Sequence, residues 1–349
     1  MRAVLICLLS MSALAQNRPP PTTQFIGSGS FADGPHSGGF SLLSVSLNNS
    51  AAQVQYSVLM TITGYVMFLG DATAFDPATN TYFVTLSDVT SPNFQAQSLF
   101  ALNVTSRSVL WKVAFVPPAF PSPNFTMGML AWDAGLGRVL GMCGTLMWDL
   151  RVSSFCSLDP ETRTLAHLND FSSIGNVSYD PDTRALDPNK HLYYARLYTV
   201  HGVWMPDNLV TLSAVNGSIL NAVYGGGPEY AGAAFDRHSG QLWCGSNAPG
   251  GIDLCLVDMQ TGSTMPTGAW VADEGHGNTE IFAASVGLDG EQGWHFVSGY
   301  FSTAPGLRLM AVDISNANIS LDRIIYNYTF PPGFPDQILA GLHTWAGED

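Results

Sequence analysis

The chain has 349 residues, 46% of them hydrophobic and only 11% charged, with a formal net charge of −14. So much apolar material with so little charge excludes a disordered chain. An acidic surface on which Lys112 and Lys190 are the only lysines repels phosphate backbones and anionic lipid, which argues against nucleic acid and membrane surfaces as partners.

The first segment is "MRAVLICLLSMSALAQN". Arg2 is a short basic region, Ala3 to Met11 a mostly apolar run, and Ala13-Leu14-Ala15 a small-x-small cleavage signal. Residues 1–15 are therefore expected to be a secretory signal peptide, too short for a membrane anchor. Residues 16–24, "QNRPPPTTQ", read as a flexible Pro-rich leader, and residues 25–349 as a single domain. No later apolar run approaches the roughly 20 residues of a membrane helix.

The stretch from Phe25, "FIGSGSFADGPHSGGFSLLSVSLNNSAAQVQYSVL", reads as three strands. Five longer units follow. Each opens on a β-type run ending in a turn aspartate: "GDATAFDPATNTYFVTL", "GMLAWDAGLGRVLGMCG", "GNVSYDPDTRALDPNKHLYYARL", "AGAAFDRHSGQLWCGS" and "ASVGLDGEQGWHFVSG". The markers are Asp76, Asp133, Asp180 (or Asp187, with the long turn aligned differently), Asp236 and Asp289. Asp favours such turns by bonding to its own backbone, so these residues are expected to be structural. His238, in "DRHSG", is expected to be exposed in such a turn.

A second signature follows each marker: "SLFALNVTSRSVLWKV", "SFCSLDPETRTLAHL", "NLVTLSAVNGSILNAV", "DLCLVDMQTGSTMP" and "LRLMAVDISNANISL". Each reads as strand, polar turn, strand, with the period-2 alternation of a sheet. Each unit thus holds four strands, A to D. The last element, "ILAGLHTW" from Ile338 to Trp345, is a solitary A strand. It supplies what the N-terminal B, C and D strands lack. The expectation is an all-β, six-bladed β-propeller of four-stranded antiparallel blades, with the C-terminal A strand closing the ring.

"LFALNVTSRSVLWKV" resembles the quinoprotein (PQQ-like or YVTN-like) repeat: hydrophobic-Ala-hydrophobic-Asp, a polar turn, then Leu-Trp. "VDMQTGSTMP" is similar in its turn. Quinone-dependent dehydrogenases of that kind carry eight blades and a repeated tryptophan docking motif, which only Trp111 fits here. The resemblance implies a propeller, not an oxidoreductase.

Removal of Cys7 with the leader leaves Cys143, Cys156, Cys244 and Cys255. Alignment of the units puts Cys143 and Cys244 on B strands, and Cys156 and Cys255 on the neighbouring C strands. Neighbouring strands bring facing side chains near disulfide reach, whereas zinc sites favour shorter spacings and more ligands. The expected pairs are Cys143–Cys156 and Cys244–Cys255, in an oxidising compartment. Seven N-x-Ser/Thr sequons, at Asn48, Asn103, Asn124, Asn176, Asn216, Asn318 and Asn327, agree with a secreted glycoprotein.

In this architecture the A–B and C–D turns share one face, and the D–A and B–C loops form the other. The second face carries the candidate ligand-binding residues His36, His201, Trp204, Glu229, Asp273, Glu274, His276 and Asp336. "DEGHGNTE" is its densest loop. His343, mid-strand in "LAGLHTW", suits a channel-lining or core position. No Gly-x-Ser-x-Gly elbow, His-Glu-x-x-His helix or phosphate loop occurs, so no catalytic residue is assigned. The expected function is non-enzymatic binding of an extracellular protein or glycan, with no resident cofactor. The alternative is a calcium-dependent hydrolase or lactonase, with Asp71, Asn176 and Glu280 converging on one Ca²⁺ from three alternate inner strands.

Overall fold

The apolar runs become strands. In a computed structural model, the described residues are 23–30, 39–47, 55–67, 72–91, 96–115, 125–145, 151–171, 177–179, 183–199, 208–224, 230–237, 239–248, 251–272, 282–289, 294–300, 307–313, 318–326 and 339–345. Every regular element among them is a β-strand. None is a helix long and apolar enough to cross a membrane.

The first strands are β1 (Thr23–Ser30), β2 (Gly39–Leu47) and β3 (Gln55–Thr63). A second group holds β4 (Tyr65–Val66), β5 (Thr73–Asp76), β6 (Thr81–Asp88), β7 (Gln97–Asn103) and β8 (Ser108–Ala114). The third comprises β9 (Thr126–Asp133), β10 (Arg138–Thr145), β11 (Arg151–Asp159) and β12 (Thr164–Asp170). The fourth has β13 (Val177–Tyr179), β14 (Ala185–Asp187), β15 (Leu192–Thr199), β16 (Asn208–Ser213) and β17 (Ile219–Tyr224). β18 (Tyr230–Asp236), β19 (Gln241–Ala248), β20 (Gly251–Val257) and β21 (Thr264–Ala272) form the fifth. The sixth is β22 (Phe282–Asp289), β23 (Trp294–Tyr300), β24 (Leu307–Asp313) and β25 (Asn318–Tyr326), and β26 (Leu339–Trp345) is the last described strand.

All pairings are antiparallel, and most sheets follow chain order. β18 to β21 make one four-stranded sheet and β22 to β25 another. β26 pairs with β1, aligning His343 with Ile26 and Trp345 with Gln24, so both ends of the chain share the sheet β26-β1-β2-β3.

Three details differ from the expected units. The second group has five strands rather than four, because β4 and β5 both pair with β6. The third and fourth groups are joined in one nine-stranded sheet, because Arg151 and Val152 of β11 pair with Ser178 and Val177 of β13. The inner strand of the fourth group is also split into β13 and β14. The intervening sequence carries Pro181, which has no amide N–H to give a ladder. Asp187, not Asp180, therefore stands at the turn end of the inner strand.

Burial explains the sequence pattern of each group. β5 and β7 are almost wholly buried, whereas outer strands such as β8 and β12 are largely exposed. The cores lie between successive groups of strands. Ile26 and Leu42 pack with Tyr82, Val84 and Leu102. Phe83, Leu99 and Ala101 meet Met127, Val139 and Leu158. Phe155 and Met142 meet Tyr193 and Leu212, and Tyr194 and Leu209 meet Leu242 and Val257. The first strands of the groups also lie side by side: β26 beside β5, β5 beside β9, β9 beside β14, β14 beside β18, β18 beside β22, and β22 beside β26.

The expected disulfides join neighbouring strands. Cys244 and Cys255 are direct cross-strand partners, with Cα atoms 4.9 Å apart. Cys143 lies opposite Ser154 and Cys156 opposite Gly141, so this bridge runs diagonally over 6.0 Å. The two bridges share a hairpin type but not a register. Such short loops limit each to about 2–3 kcal/mol of stabilisation.

The tight A–B and C–D turns follow one rule. Asp76, Asp133, Asp187 and Asp236 are buried and end the inner strands. Asp133 Oδ1 accepts from the amides of Gly135 (3.0 Å) and Leu136 (3.1 Å), and Asp187 Oδ1 from Asn189 and Lys190. Asp159 and Asp258 cap the C–D turns in the same way, but exposed. Those hydrogen bonds hold both exposed carboxyls below their ordinary pKa.

Asp133 also meets His191 Nδ1 at 2.8 Å from the next group. Removing a buried cap leaves amides without acceptors, at about 1–3 kcal/mol each. Asp133→Ala should therefore cost roughly 3 kcal/mol in urea denaturation, and Asp159→Ala far less. Equal losses would show that burial of the cap is irrelevant.

Candidate functional site

Most of the loop candidates, His36, His201, Trp204, Glu229, Asp273, Glu274, His276 and Asp336, lie outside the described residues, as do Asp71, Asn176 and Glu280. So does His238. Among the sequon asparagines, Asn103 and Asn216 sit in described turns, and Asn318 begins β25. Asn48, Asn124, Asn176 and Asn327 lie outside. Among the described residues, no three His, Cys, Asp or Glu side chains gather as a metal site.

His343 is the one loop-face or channel candidate whose surroundings are described. It stands in β26, and its Nε2 is 3.3 Å from Thr73 Oγ1 on β5. Phe75 and Tyr82 flank the ring, with centroids 6.2 Å and 5.7 Å away. Tyr82 is fully buried and shares side-chain hydrogen bonds with Ser28 and Thr73. Burial pushes its phenol up to about 12, so it stays protonated at neutral pH.

A cation joins this group from a third direction. Arg184, just before β14, donates from Nη2 to the Thr73 carbonyl at 2.8 Å and from Nε to the Leu130 carbonyl of β9. Thr73, Leu130 and Arg184 each stand three residues before a turn aspartate, Asp76, Asp133 and Asp187, so they share a level along the inner strands. Three inner elements are thereby tied through one guanidinium. Desolvation of the imidazolium, with a smaller contribution from the Arg184 charge, lowers His343 from 6.5 to about 3. At neutral pH, Arg184 is thus the charged member of the group.

Arg184 carried no functional signal in the sequence beyond a basic residue in the inner-strand run "TRALD". A second arrangement was also hidden. Buried Ser154 Oγ lies 2.8 Å from Nδ1 of exposed His167, which is 3.7 Å from Cys156 Sγ. It depends on the register of β11 against β12, which the sequence does not display.

No family model and no curated protein matches the chain. Solved structures do. A chain in the crystal structure of the nidogen/laminin complex is 12% identical, with 92% of this chain and 98% of that one covered and a TM-score of 0.55. The putative TolB of Agrobacterium tumefaciens is 8% identical, over 87% and 90% of the two chains, with a TM-score of 0.50. Both are β-propellers. The shared fold is a propeller. The calcium-binding regucalcin of Agrobacterium tumefaciens strain C58 is 14% identical over 75% and 78% of the chains, with a TM-score of 0.44, too low to bear on this chain.

The depressed His343 gives a pH prediction. Unfolded, this imidazole takes a proton near 6.5; folded, it resists down to about 3. Between those values the unfolded state binds more protons, so stability falls as pH falls, by at most about 1.4 kcal/mol per pH unit from this group. Above 6.5 its contribution is flat. Urea denaturation of His343→Gln between pH 7 and about pH 4 should show a shallower loss than wild type. Parallel curves would remove His343 from the interior site.

Proposed function

We propose that this protein is a secreted glycoprotein, a six-bladed β-propeller over residues 25–349, that binds an extracellular protein or glycan through its D–A and B–C loops. The observation that carries the extracellular reading is the pair of hairpin disulfides in two separate blades. Such bridges persist in oxidising compartments. They agree with reading residues 1–15 as a signal peptide and 16–24 as a leader.

Six blades and a closed ring are supported by the succession of neighbouring inner strands, which returns from β22 through β26 to β5. The pairing of β26 with β1 supports closure by the C-terminal strand. Deletion of residues 339–349 should then uncover one edge of β1 and one flank of its neighbours. We expect no secretion of folded protein. Secretion with an unchanged melting temperature would overturn the closure.

The two described sequon turns bear on which face is free. Asn216 is exposed, and its Oδ1 accepts from Ser218 N (3.0 Å) and Oγ (2.8 Å). Asn103 is half-buried and caps its turn through Ser106 N at 2.7 Å. Both lie in C–D turns, so glycans there would shield the turn face and leave the loop face for a partner. On that face aromatic and titratable side chains such as Trp204, His201 and His276 would make the contacts.

The calcium-dependent hydrolase reading is separated by one experiment. Bound metal at about 100 Kd stabilises by ~2.7 kcal/mol. If Asp71, Asn176 and Glu280 held calcium, chelator would lower the melting temperature of wild type but not of Asp71→Asn, Glu280→Gln. The binding reading expects no chelator effect on either protein, and an occupied glycan at Asn216 by peptide mass mapping. A chelator response confined to wild type would replace it with the calcium reading.

A further inference from the structure

The guanidinium between the inner strands is engaged only in part. Arg offers five N–H donors in a planar fork. Backbone carbonyls of Thr73 and Leu130 take one from Nη2 and one from Nε, and no carboxylate among the described residues pairs with it. Three donors therefore take no partner among the described residues, enough for a bidentate contact. Both Arg184 and His343 keep some exposure, so solvent reaches this level between the strands. Among the described residues this half-buried charge is answered by carbonyl dipoles, which compensate a charge less well than a counter-ion does.

We propose that Arg184 anchors a site for a small oxyanion, a carboxylate or a phosphate, between the inner strands of the propeller, with His343 lining it. The carbonyls of Thr73 and Leu130 fix the plane of the guanidinium, so its remaining edge is presented without loss of side-chain freedom on binding. Charge-assisted contacts to such an edge are short and about twice as strong as neutral ones. His343 Nε2 stands beside Thr73 Oγ1, which places the imidazole next to the strand that holds the guanidinium. The proposal does not depend on what the loop face binds.

Inorganic phosphate and acetate are suitable probes, each titrated against chloride at constant ionic strength. Isothermal titration of the full chain should give saturable binding of one anion per chain. The tighter of the two probes identifies the source chemistry. Arg184→Gln keeps amide donors for the carbonyls but loses the charge, and should weaken the apparent Kd at least tenfold. His343→Gln leaves the guanidinium in place and should shift affinity severalfold without abolishing binding. Because phosphate also stabilises folded chains non-specifically, a linear rise in melting temperature shared by wild type and Arg184→Gln does not count as binding. If neither probe binds wild type saturably, the proposal fails. An unchanged affinity in His343→Gln places the anion elsewhere and overturns it too, even if Arg184→Gln does not fold.

Discussion

Among the described residues, the middle strands are covered on both faces by apolar side chains, and that single constraint organises the rest. A half-solvated antiparallel sheet alternates apolar and polar residues, whereas one covered on both sides does not. β7 reads Gln-Ser-Leu-Phe-Ala-Leu-Asn, with Leu99 and Ala101 facing one neighbour and Phe100 and Leu102 the other. Burying one such side chain fully contributes about 1.5–3 kcal/mol, and successive sheets share that gain across every interface. A stack of this kind has uncovered faces at its two ends unless the ends meet. The β26–β1 pairing is the chemistry by which they would meet, and it gives the first sheet a seven-residue strand from far along the chain.

Wedge-like packing of sheets around an axis requires tight, uniform turns. In eight of them a residue four (five for Gly262) after the strand end has positive φ: Asn80, Gly137, His191 and Gly240 in the A–B turns, and Arg107, Arg163, Gly217 and Gly262 in the C–D turns. For His and Arg this backbone costs roughly 1–2 kcal/mol. Carboxylate caps and return bonds, such as Arg163 N to Asp159 O at 2.8 Å, offset it. In the A–B turns the cap is buried, so the turn and the inter-sheet contact become one structure. Asp133 shows this directly, capping its own turn while meeting His191 from the left-handed position of the next. Gly135 leaves room for this contact: a Cβ there would stand 2.5 Å from the His191 ring, which would have to shift.

Much of this was legible in the residues, for a physical reason. Period-2 patterns, turn aspartates and a cysteine pair within a hairpin are local signals, and each gave the right strands and the right bridges. The lone A strand in "LAGLHTW" was legible because the N-terminal segment lacked one. The left-handed positions were visible only where glycine fills them, since Arg107, Arg163 and His191 give no sign of it. The split inner strand around Pro181 was misaligned because the sequence offers two aspartates and only cross-strand register chooses Asp187. Arg184, Thr73, Leu130 and His343 were not legible as a group at all. They are up to 270 positions apart and meet only because the fold sets inner strands side by side.

The interior cation has to be weighed against the charge of the whole molecule. At −14, the protein repels anions at long range, yet that field is screened over about 8 Å at physiological salt. The exposed acids that contribute to it include Asp88, Asp159 and Asp258, which cap surface turns rather than lining the inner strands. Screening weakens their reach inward, while the guanidinium acts at contact distance in a less polar medium, where a charge interaction is several-fold stronger than in water. Short range therefore favours an anion beside Arg184, and long range slows its approach. The same balance discriminates by size and charge: a small monoanion pays little to approach, whereas a polyanion meets the surface acids before it meets the cation. An acidic exterior around the Arg184 guanidinium would thus select in a way that neither feature would alone.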